Sequence, residues 1–158
     1  MRTDYWANFQ EEEFYHIYNR ATANRKLFYE PKDYLKFLKN YKKYFLKYFN
    51  TYAYCLIPNH FHFLVQVKNE SSFNDKNLRT EKSKAATNLL KRDGDINAFL
   101  ADQLRRFLSG YSLSLNYKYK EQGPVLNNKT KRVNISSLPK FYDLLCYIHH
   151  NPIHHGLT

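Results

Sequence analysis

The chain has 158 residues, 43% of them hydrophobic, which suits one domain over residues 1–158 and excludes a disordered chain. Its formal net charge of +11 favours a polyanionic partner, because each phosphate that a protein neutralises releases counterions. No apolar run approaches the ~20 residues of a membrane span, and the two cysteines lack a disulfide pattern, so we expect a cytoplasmic protein without a membrane partner.

The first half of the chain predicts a strand, a helix and a hairpin. Phe14–Asn19 is rich in aromatic and β-branched residues, which is typical of a strand. Between Lys32 and Phe49, aromatic residues and leucines recur at helical spacing, and Pro31 suits the start of that helix. Thr51–Ile57 and Phe61–Val67 are apolar runs separated by a turn, so we expect a hairpin at the centre of a sheet.

The second half predicts a loop, a helix, a strand and a last helix. Asn69–Asp95 is mainly polar and indicates a long flexible loop. Ile96–Tyr119 returns to helical spacing, and Lys131–Ile135 has the composition of a short strand. The last helix begins after Ser137, and Asn151-Pro152 disfavours its continuation, because a residue before proline avoids the helical conformation.

The first six elements follow the split βαβ order of a ferredoxin-like sandwich. The sequence therefore predicts an α+β fold, an antiparallel sheet with helices on one face. The opposite face would then be free for nucleic acid or a second subunit.

A His-x-His pair opens the second strand of the hairpin. Residues i and i+2 of a strand point to the same face, so His60 and His62 project together while Phe61 points to the opposite layer. Two neutral imidazoles side by side are good ligands for a divalent metal. Taken alone, the pair is more typical of two hydrogen-bonded strand histidines.

A tyrosine and an asparagine stand four residues apart on the last helix. Tyr147 and Asn151 therefore lie on one helical face, with roughly 5–6 Å between their Cβ atoms. The phenol offers a nucleophile and the amide oxygen a metal ligand. Taken alone, they are better explained as a core tyrosine and a helix cap before Pro152.

These motifs, in this order, resemble those of a known family. Residues 58–65, Pro-Asn-His-Phe-His-Phe-Leu-Val, closely resemble the HUH signature of single-tyrosine transposases. Residues 147–156, Tyr-Ile-His-His-Asn-Pro-Ile-His-His-Gly, resemble their tyrosine helix, in particular that of REP-associated tyrosine transposases. Tyr15–Arg20 also looks like the first strand of that family, so the resemblance spans nearly the whole chain.

The resemblance implies an activity and a set of site residues. The family fold is a ferredoxin-like sandwich, usually a homodimer, and the substrate is single-stranded DNA with an imperfect hairpin. Carried over residue by residue, Tyr147 is the nucleophile, His60 and His62 bind Mg²⁺ or Mn²⁺, and Asn151 takes the position of the third metal ligand. Relatives commonly continue beyond the position of Thr158, which implies a shortened domain or an altered substrate preference.

The implied chemistry is coherent from first principles. A phosphodiester is anionic, so a metal must neutralise its charge and orient the scissile phosphate. A phenol has an ordinary pKa near 10 and needs a nearby cation or base to lose its proton. Attack would leave a 5′-phosphotyrosine and a free 3′-hydroxyl. The covalent link conserves the energy of the broken bond, so rejoining needs no nucleotide cofactor.

Other residues have weaker claims to the site. We expect His16 to pack on the first strand and the distal histidines to cap or cover the last helix, with His150 the strongest functional candidate among them. Tyr111 is a rival nucleophile, but no ligand-type side chain follows it at i+4. Basic residues around the penultimate loop could follow a phosphate backbone, although each alone is also explained as surface charge: Arg105, Arg106, Lys118, Lys120, Lys129, Lys131 and Arg132.

Two other functions compete with a transposase-like nuclease. A non-catalytic regulator of the same fold that binds single-stranded DNA or RNA would share the charge and the aromatic residues, but it would not need His60, His62, Tyr147 and Asn151 together. A small zinc protein could use the histidines alone. Structural zinc, however, favours cysteine ligands at fixed spacings, and neither Cys55 nor Cys146 has a CxxC partner.

Overall fold

The computed structural model describes residues 2–73 and 95–157, which form a four-stranded antiparallel sheet and three α-helices. The elements in chain order are β1 (Phe14–Arg20), α1 (Pro31–Tyr44), β2 (Phe49–Ile57), β3 (His60–Val67), α2 (Ile96–Tyr119), β4 (Lys131–Asn134) and α3 (Leu138–His154), with a 3-10 turn at Glu70–Ser72. The strand order β2–β3–β1–β4 is that of the split βαβ motif. The predicted α+β, ferredoxin-like arrangement is therefore confirmed, and the predicted loop of residues 69–95 falls mostly outside the described residues.

One face of the sheet, here called the closed face, carries the main core. α1 and α2 pack on it, and alternate residues of β3 from Phe61 to Val67 point into it. Phe37 of α1 lies at its centre, with ring centroids 4.8 Å from Phe107 of α2 and 5.4 Å from Phe61. The high phenylalanine and tyrosine content of the chain is thus largely accounted for by this interlocked aromatic layer.

The opposite face, here called the open face, is only partly covered. α3 lies across β2 and β3, and Ile148 packs there with Cys55 and Leu64 in a second, smaller apolar cluster. The expectation of helices on one face holds for α1 and α2, whereas α3 lies on the other face. The sheet surface toward β1 and β4 carries no helix among the described residues.

A bulge in β2 lets one strand serve both faces. The register with β3 shifts between Thr51 and Ala53. Phe49 and Thr51 face the helices of the closed face, whereas Ala53 and Cys55 face α3. An extra residue in a strand reverses which alternate residues point to a given face.

Two sequence predictions about this half of the chain are wrong in detail. α1 ends at Tyr44 and not at Phe49, because Phe49 opens β2, pairs with Val67 and stacks its ring on Phe45 at 3.8 Å. The helical spacing of aromatic residues continues beyond Tyr44 because Phe45, Tyr48 and Phe49 are buried in the core, although the chain there forms a turn and the start of β2. The hairpin is also not central as a whole: β3 lies inside the sheet, but β2 is an edge strand, because β1 pairs with β3.

Candidate functional site

The His-x-His pair lies where the sequence predicts. His60 and His62 point to the open face, and Phe61 between them is fully buried in the closed-face core. Antiparallel pairing with β1 places Tyr18 opposite His62 and Arg20 opposite His60. Strand alternation therefore gathers residues of two strands on one patch of the open face.

Each of these two histidines uses one ring nitrogen for a protein partner. His60 Nδ1 donates to Asn59 Oδ1 at 2.8 Å, which leaves its Nε2 with the lone pair. His62 Nδ1 bonds to His16 Nε2 at 2.9 Å, and His62 Nε2 is buried without a hydrogen-bond partner. An unpartnered buried nitrogen is costly unless a ligand satisfies it, so His62 Nε2 marks the centre of the site.

His16, His60 and His62 are held in the neutral form. Burial, together with the neighbouring His16 and His60, lowers the pKa of His62 to about 3. Burial also lowers the pKa of His60 to about 4, with contributions from His155 and Arg20, and that of His16 to about 4. Neutral imidazole is the form that donates a lone pair to a metal ion.

α3 brings Tyr147 and Asn151 to the same patch. The Tyr147 ring stands edge-on to the His62 ring, with centroids 5.5 Å apart, and the side chain is 47% exposed. Asn151 is almost fully buried, its side chain lies beside His60 and acts to raise the pKa of that imidazole, and its Oδ1 accepts a weak bond from Cys55 Sγ at 3.9 Å. The spacing of four residues thus presents both side chains to the histidine pair, as the sequence predicts.

The helix continues past Pro152, contrary to the sequence prediction. α3 ends at His154, one turn further, and the backbone N–H of His155 still reaches the carbonyl of Asn151 at 3.2 Å. A proline removes its own N–H bond and crowds the carbonyl four residues earlier, which can kink a helix, but the residues after it can still form a final turn. The extra turn places the His155 ring 4.8 Å from the His60 ring.

These residues line a pocket of about 290 Å³. Its base is formed by the histidine pair, and Tyr147 and His155 form one side. The other side consists of residues from β1, β4 and the preceding loop: Tyr18, Asn19, Arg20, Asn127, Lys129 and Lys131. Three of these carry positive charge and, among the described residues, no carboxylate lines the pocket, so the pocket suits an anion.

The donor set fits a divalent ion with an amide as third ligand. Within residues 2–73 and 95–157 no cluster of three or more His, Cys, Asp or Glu side chains is arranged to hold a metal. Two imidazole Nε2 atoms and the Asn151 amide oxygen are the groups present. Structural zinc takes four protein ligands, usually with cysteines among them, so this set of two imidazoles and one amide oxygen fits an open site for a divalent ion better than a structural zinc site.

Tyr111 has the opposite environment to Tyr147. It is buried in the closed-face core, and its hydroxyl donates to the carbonyl of Leu27. Burial raises its pKa, which makes the phenol harder to ionise. Tyr111 is therefore a structural tyrosine.

The distal histidines divide into surface residues and one pocket residue. His149 and His150 are exposed, and each Nδ1 donates to the carbonyl four residues earlier, so His150 does not reach the pocket. His155 does. His16, expected only to pack, bonds to a predicted metal ligand.

The predicted DNA-binding residues do not form one group. Lys129 and Lys131 line the pocket, and Lys131 Nζ lies 5.4 Å from the centre of the Tyr18 ring. Lys118 is ion-paired to Asp33 at 2.6 Å and to Glu30, so it joins α2 to α1. The rest lie elsewhere on or beyond α2: Arg105 and Arg106 both bind Asp102, Lys120 caps α2, and Arg132 donates to the Trp6 carbonyl.

Sequence reasoning assigned no site role to Tyr18 or Arg20, and it favoured a cap or surface role for His155 over a role in the site. Tyr18 and Arg20 share the alternation of His16 on β1, and only the pairing of β1 with β3 brings them beside the histidine pair. His155 lay beyond the expected end of the helix. Its signal was the eight-residue spacing from Tyr147, which is two helical turns.

The chain matches no protein-family model and no curated protein. A solved structure of a REP-associated tyrosine transposase bound to a REP hairpin is similar, with a TM-score of 0.61 and 12% identity. The match covers 100% of this chain and 76% of that one. The two chains share a fold. In the described residues no helix is long and apolar enough to cross a membrane.

Proposed function

We propose that this protein is a transposase-like HUH endonuclease that cleaves and rejoins single-stranded DNA through Tyr147. The observation that carries the proposal is the position of the exposed Tyr147 phenol beside the unpartnered His62 Nε2, in a pocket lined by cations. A nucleophile, a vacant ligand atom and an anion-binding wall meet there. The transposase that shares the fold was solved with a hairpin bound, which supports a nucleic-acid substrate.

The proposed reaction is a transesterification. The Tyr147 hydroxyl oxygen attacks the scissile phosphorus, the bond from phosphorus to the 3′ oxygen breaks, and the phenol proton ends on the released 3′-hydroxyl. The products are a 5′-phosphotyrosine and a free 3′ end. A 3′-hydroxyl rejoins the strand by the reverse attack, so the number of phosphodiester bonds is conserved without a nucleotide cofactor.

Each pocket residue has a part in this proposal. His60, His62 and Asn151 would hold Mg²⁺ or Mn²⁺, which when bound neutralises charge on the scissile phosphate. Arg20, Lys129 and Lys131 bind the flanking phosphates, and their position across from Tyr147 holds the strand between wall and nucleophile. Tyr18 offers a ring on which a base can stack.

We further propose a substrate and an assembly. The substrate is single-stranded DNA folded into a hairpin, with the scissile phosphate in an unpaired flank. The protein acts as a homodimer. The competing function, a regulator that binds the same DNA without cutting it, shares the fold and the charge and differs only in having no use for Tyr147.

The test is the formation of a covalent protein–DNA adduct. Labelled hairpin DNA with unpaired flanks, taken from the sequences beside the gene, is incubated with the protein in Mn²⁺ or in EDTA and resolved on a denaturing gel. We expect a metal-dependent adduct that is lost in Tyr147→Phe. Tyr142→Phe is a matched control, because Tyr142 is an exposed tyrosine on the same helix. Hairpins that bind without forming an adduct would establish the regulator instead.

A further inference from the structure

A second, larger concavity adjoins the Tyr147 pocket. It lies between α2 and the loop of residues 123–130 and has a volume of about 990 Å³, against about 290 Å³ for the pocket. The two share Asn19, Asn127 and Lys129 in their walls. A strand leaving the pocket past Lys129 would enter this concavity, here called the α2 groove.

The loop wall of the α2 groove is held in place by hydrogen bonds. Asn116 Nδ2 donates to the carbonyl of Gly123 at 3.0 Å, and Asn19 Nδ2 donates to the carbonyl of Asn127 at 3.0 Å. Thr22 binds the same loop twice, through its hydroxyl to Pro124 and its backbone N–H to Val125. The wall is therefore formed before any ligand arrives, which lowers the entropy cost of binding.

Trp6, the single tryptophan of the chain, lies at the edge of the α2 groove. The segment around it pairs with the outer edge of β4: Ala7 N–H donates to the Arg132 carbonyl at 3.1 Å, and Arg132 N–H donates to the Tyr5 carbonyl at 2.8 Å. The indole is nevertheless 48% exposed, and Lys129 Nζ lies 5.2 Å from its ring centroid. A large ring held by its backbone and left half open to solvent is typical of a stacking platform.

The groove lining matches an unpaired nucleic-acid strand. Its floor is apolar, with Leu104, Leu108 and Val125, and Arg105 and Lys129 stand at its edges. Among the described residues, no carboxylate lines it. Unpaired bases expose apolar ring faces next to phosphates, whereas a duplex hides those faces inside its stack.

We infer that the α2 groove binds the unpaired strand that flanks the hairpin, with a base stacked on Trp6 and its phosphate near Lys129. The inference rests on the proposed function for the identity of the strand. It extends that function by assigning a binding subsite outside the pocket. The subsite does not depend on cleavage, so it is measurable when the nucleophile is absent.

The test uses Trp6 as its own reporter. Tyr147→Phe in EDTA is titrated with three DNAs: a blunt hairpin, the hairpin with a 5′ thymidine tail, and the hairpin with a 3′ thymidine tail. We expect one tail to quench the indole emission and to tighten binding relative to the blunt hairpin. Affinities are measured in parallel by the anisotropy of labelled DNA, because Trp6→Leu has no indole. Adding Trp6→Leu should lower the affinity for that tailed DNA about tenfold, the range of one base–aromatic stack, and leave the affinity for the blunt hairpin unchanged. Adding Tyr142→Leu instead, at an exposed tyrosine away from the groove, should change neither.

Each result separates this inference from the proposed function. If a tail tightens binding as much in Trp6→Leu as in the protein that keeps Trp6, and does not quench the indole emission of the latter, the subsite is wrong. The adduct experiment could still succeed in that case, so the nuclease proposal would survive. If no hairpin binds at all, with or without tails, both proposals fail together.

Discussion

The two faces of the sheet use aromatic residues in different ways. On the closed face, aromatic rings fill the space between sheet and helices, and Tyr111 is buried with its hydroxyl bonded to a backbone carbonyl. On the open face, Tyr147 is half exposed, and His62 keeps a buried nitrogen without a partner. A core satisfies its polar groups, whereas a site leaves some of them for a ligand. The contrast separates residues that stabilise the fold from residues available for chemistry.

The largest expected effect comes from removing the hydroxyl group of Tyr147 and of Tyr111 in separate variants. Tyr147→Phe should abolish the adduct and leave the thermal midpoint nearly unchanged, because its side chain is exposed. Tyr111→Phe should keep the adduct and lower the free energy of unfolding by about 1–3 kcal/mol, because the Leu27 carbonyl loses its partner. Gel assay and thermal melting on both variants check this. An adduct that persists in Tyr147→Phe and vanishes in Tyr111→Phe would reverse the assignment of the faces.

The next prediction compares how much packing on each face contributes to the free energy of unfolding. Phe37→Ala should lower the free energy of unfolding by about 3–5 kcal/mol, because Phe37 is fully buried among five aromatic rings. Phe141, on α3, is only partly buried against the smaller apolar cluster, so Phe141→Ala should lower the free energy of unfolding by less than half as much. Urea denaturation gives both values. Equal losses would mean that the α3 layer contributes as much stability as the main core.

The acid response should also distinguish the faces. His16, His60 and His62 have pKa values of about 4, 4 and 3 in the folded protein, against about 6.5 in an unfolded chain. Between those values the unfolded chain binds more protons, so stability is lost as the pH falls from about 6.5 toward 4. Unfolding in EDTA at pH 7.5 and pH 5 should show a loss on the order of a few kcal/mol.

The control for acid lability is an exposed histidine. His149→Gln should leave the difference between the two pH values unchanged, because His149 faces solvent on α3. If stability is equal at pH 7.5 and pH 5, the three imidazoles are not buried in the neutral form, and the open face is more solvated than the structure shows.

The sequence predicted what local periodicity determines. Alternation placed His60 and His62 on one face, and helical spacing placed Tyr147 with Asn151. It did not predict which strands are neighbours, and the His16–His62 bond, Tyr18 and Arg20 all depend on β1 pairing with β3. The predicted ends of α1 and α3 were wrong because they also depend on contacts between elements distant in the sequence. Pairing of Phe49 with β3 and packing of α3 on the sheet overrode local propensity, which is a weak preference beside tertiary contacts.

The smallest expected effect concerns His16, which the sequence indicated as a packing residue. Its Nε2 lies 2.9 Å from His62 Nδ1, so it accepts a hydrogen bond from the Nδ1–H group when His62 presents its Nε2 lone pair to a metal. His16→Phe keeps a ring against Tyr18 and removes the acceptor, and Mn²⁺ affinity measured by calorimetry should fall about 10- to 100-fold. His16→Gln supplies an acceptor oxygen and should recover part of the loss. If His16→Phe binds Mn²⁺ as tightly as the unmodified protein, His16 only packs, and the tautomer of His62 is fixed by the metal itself.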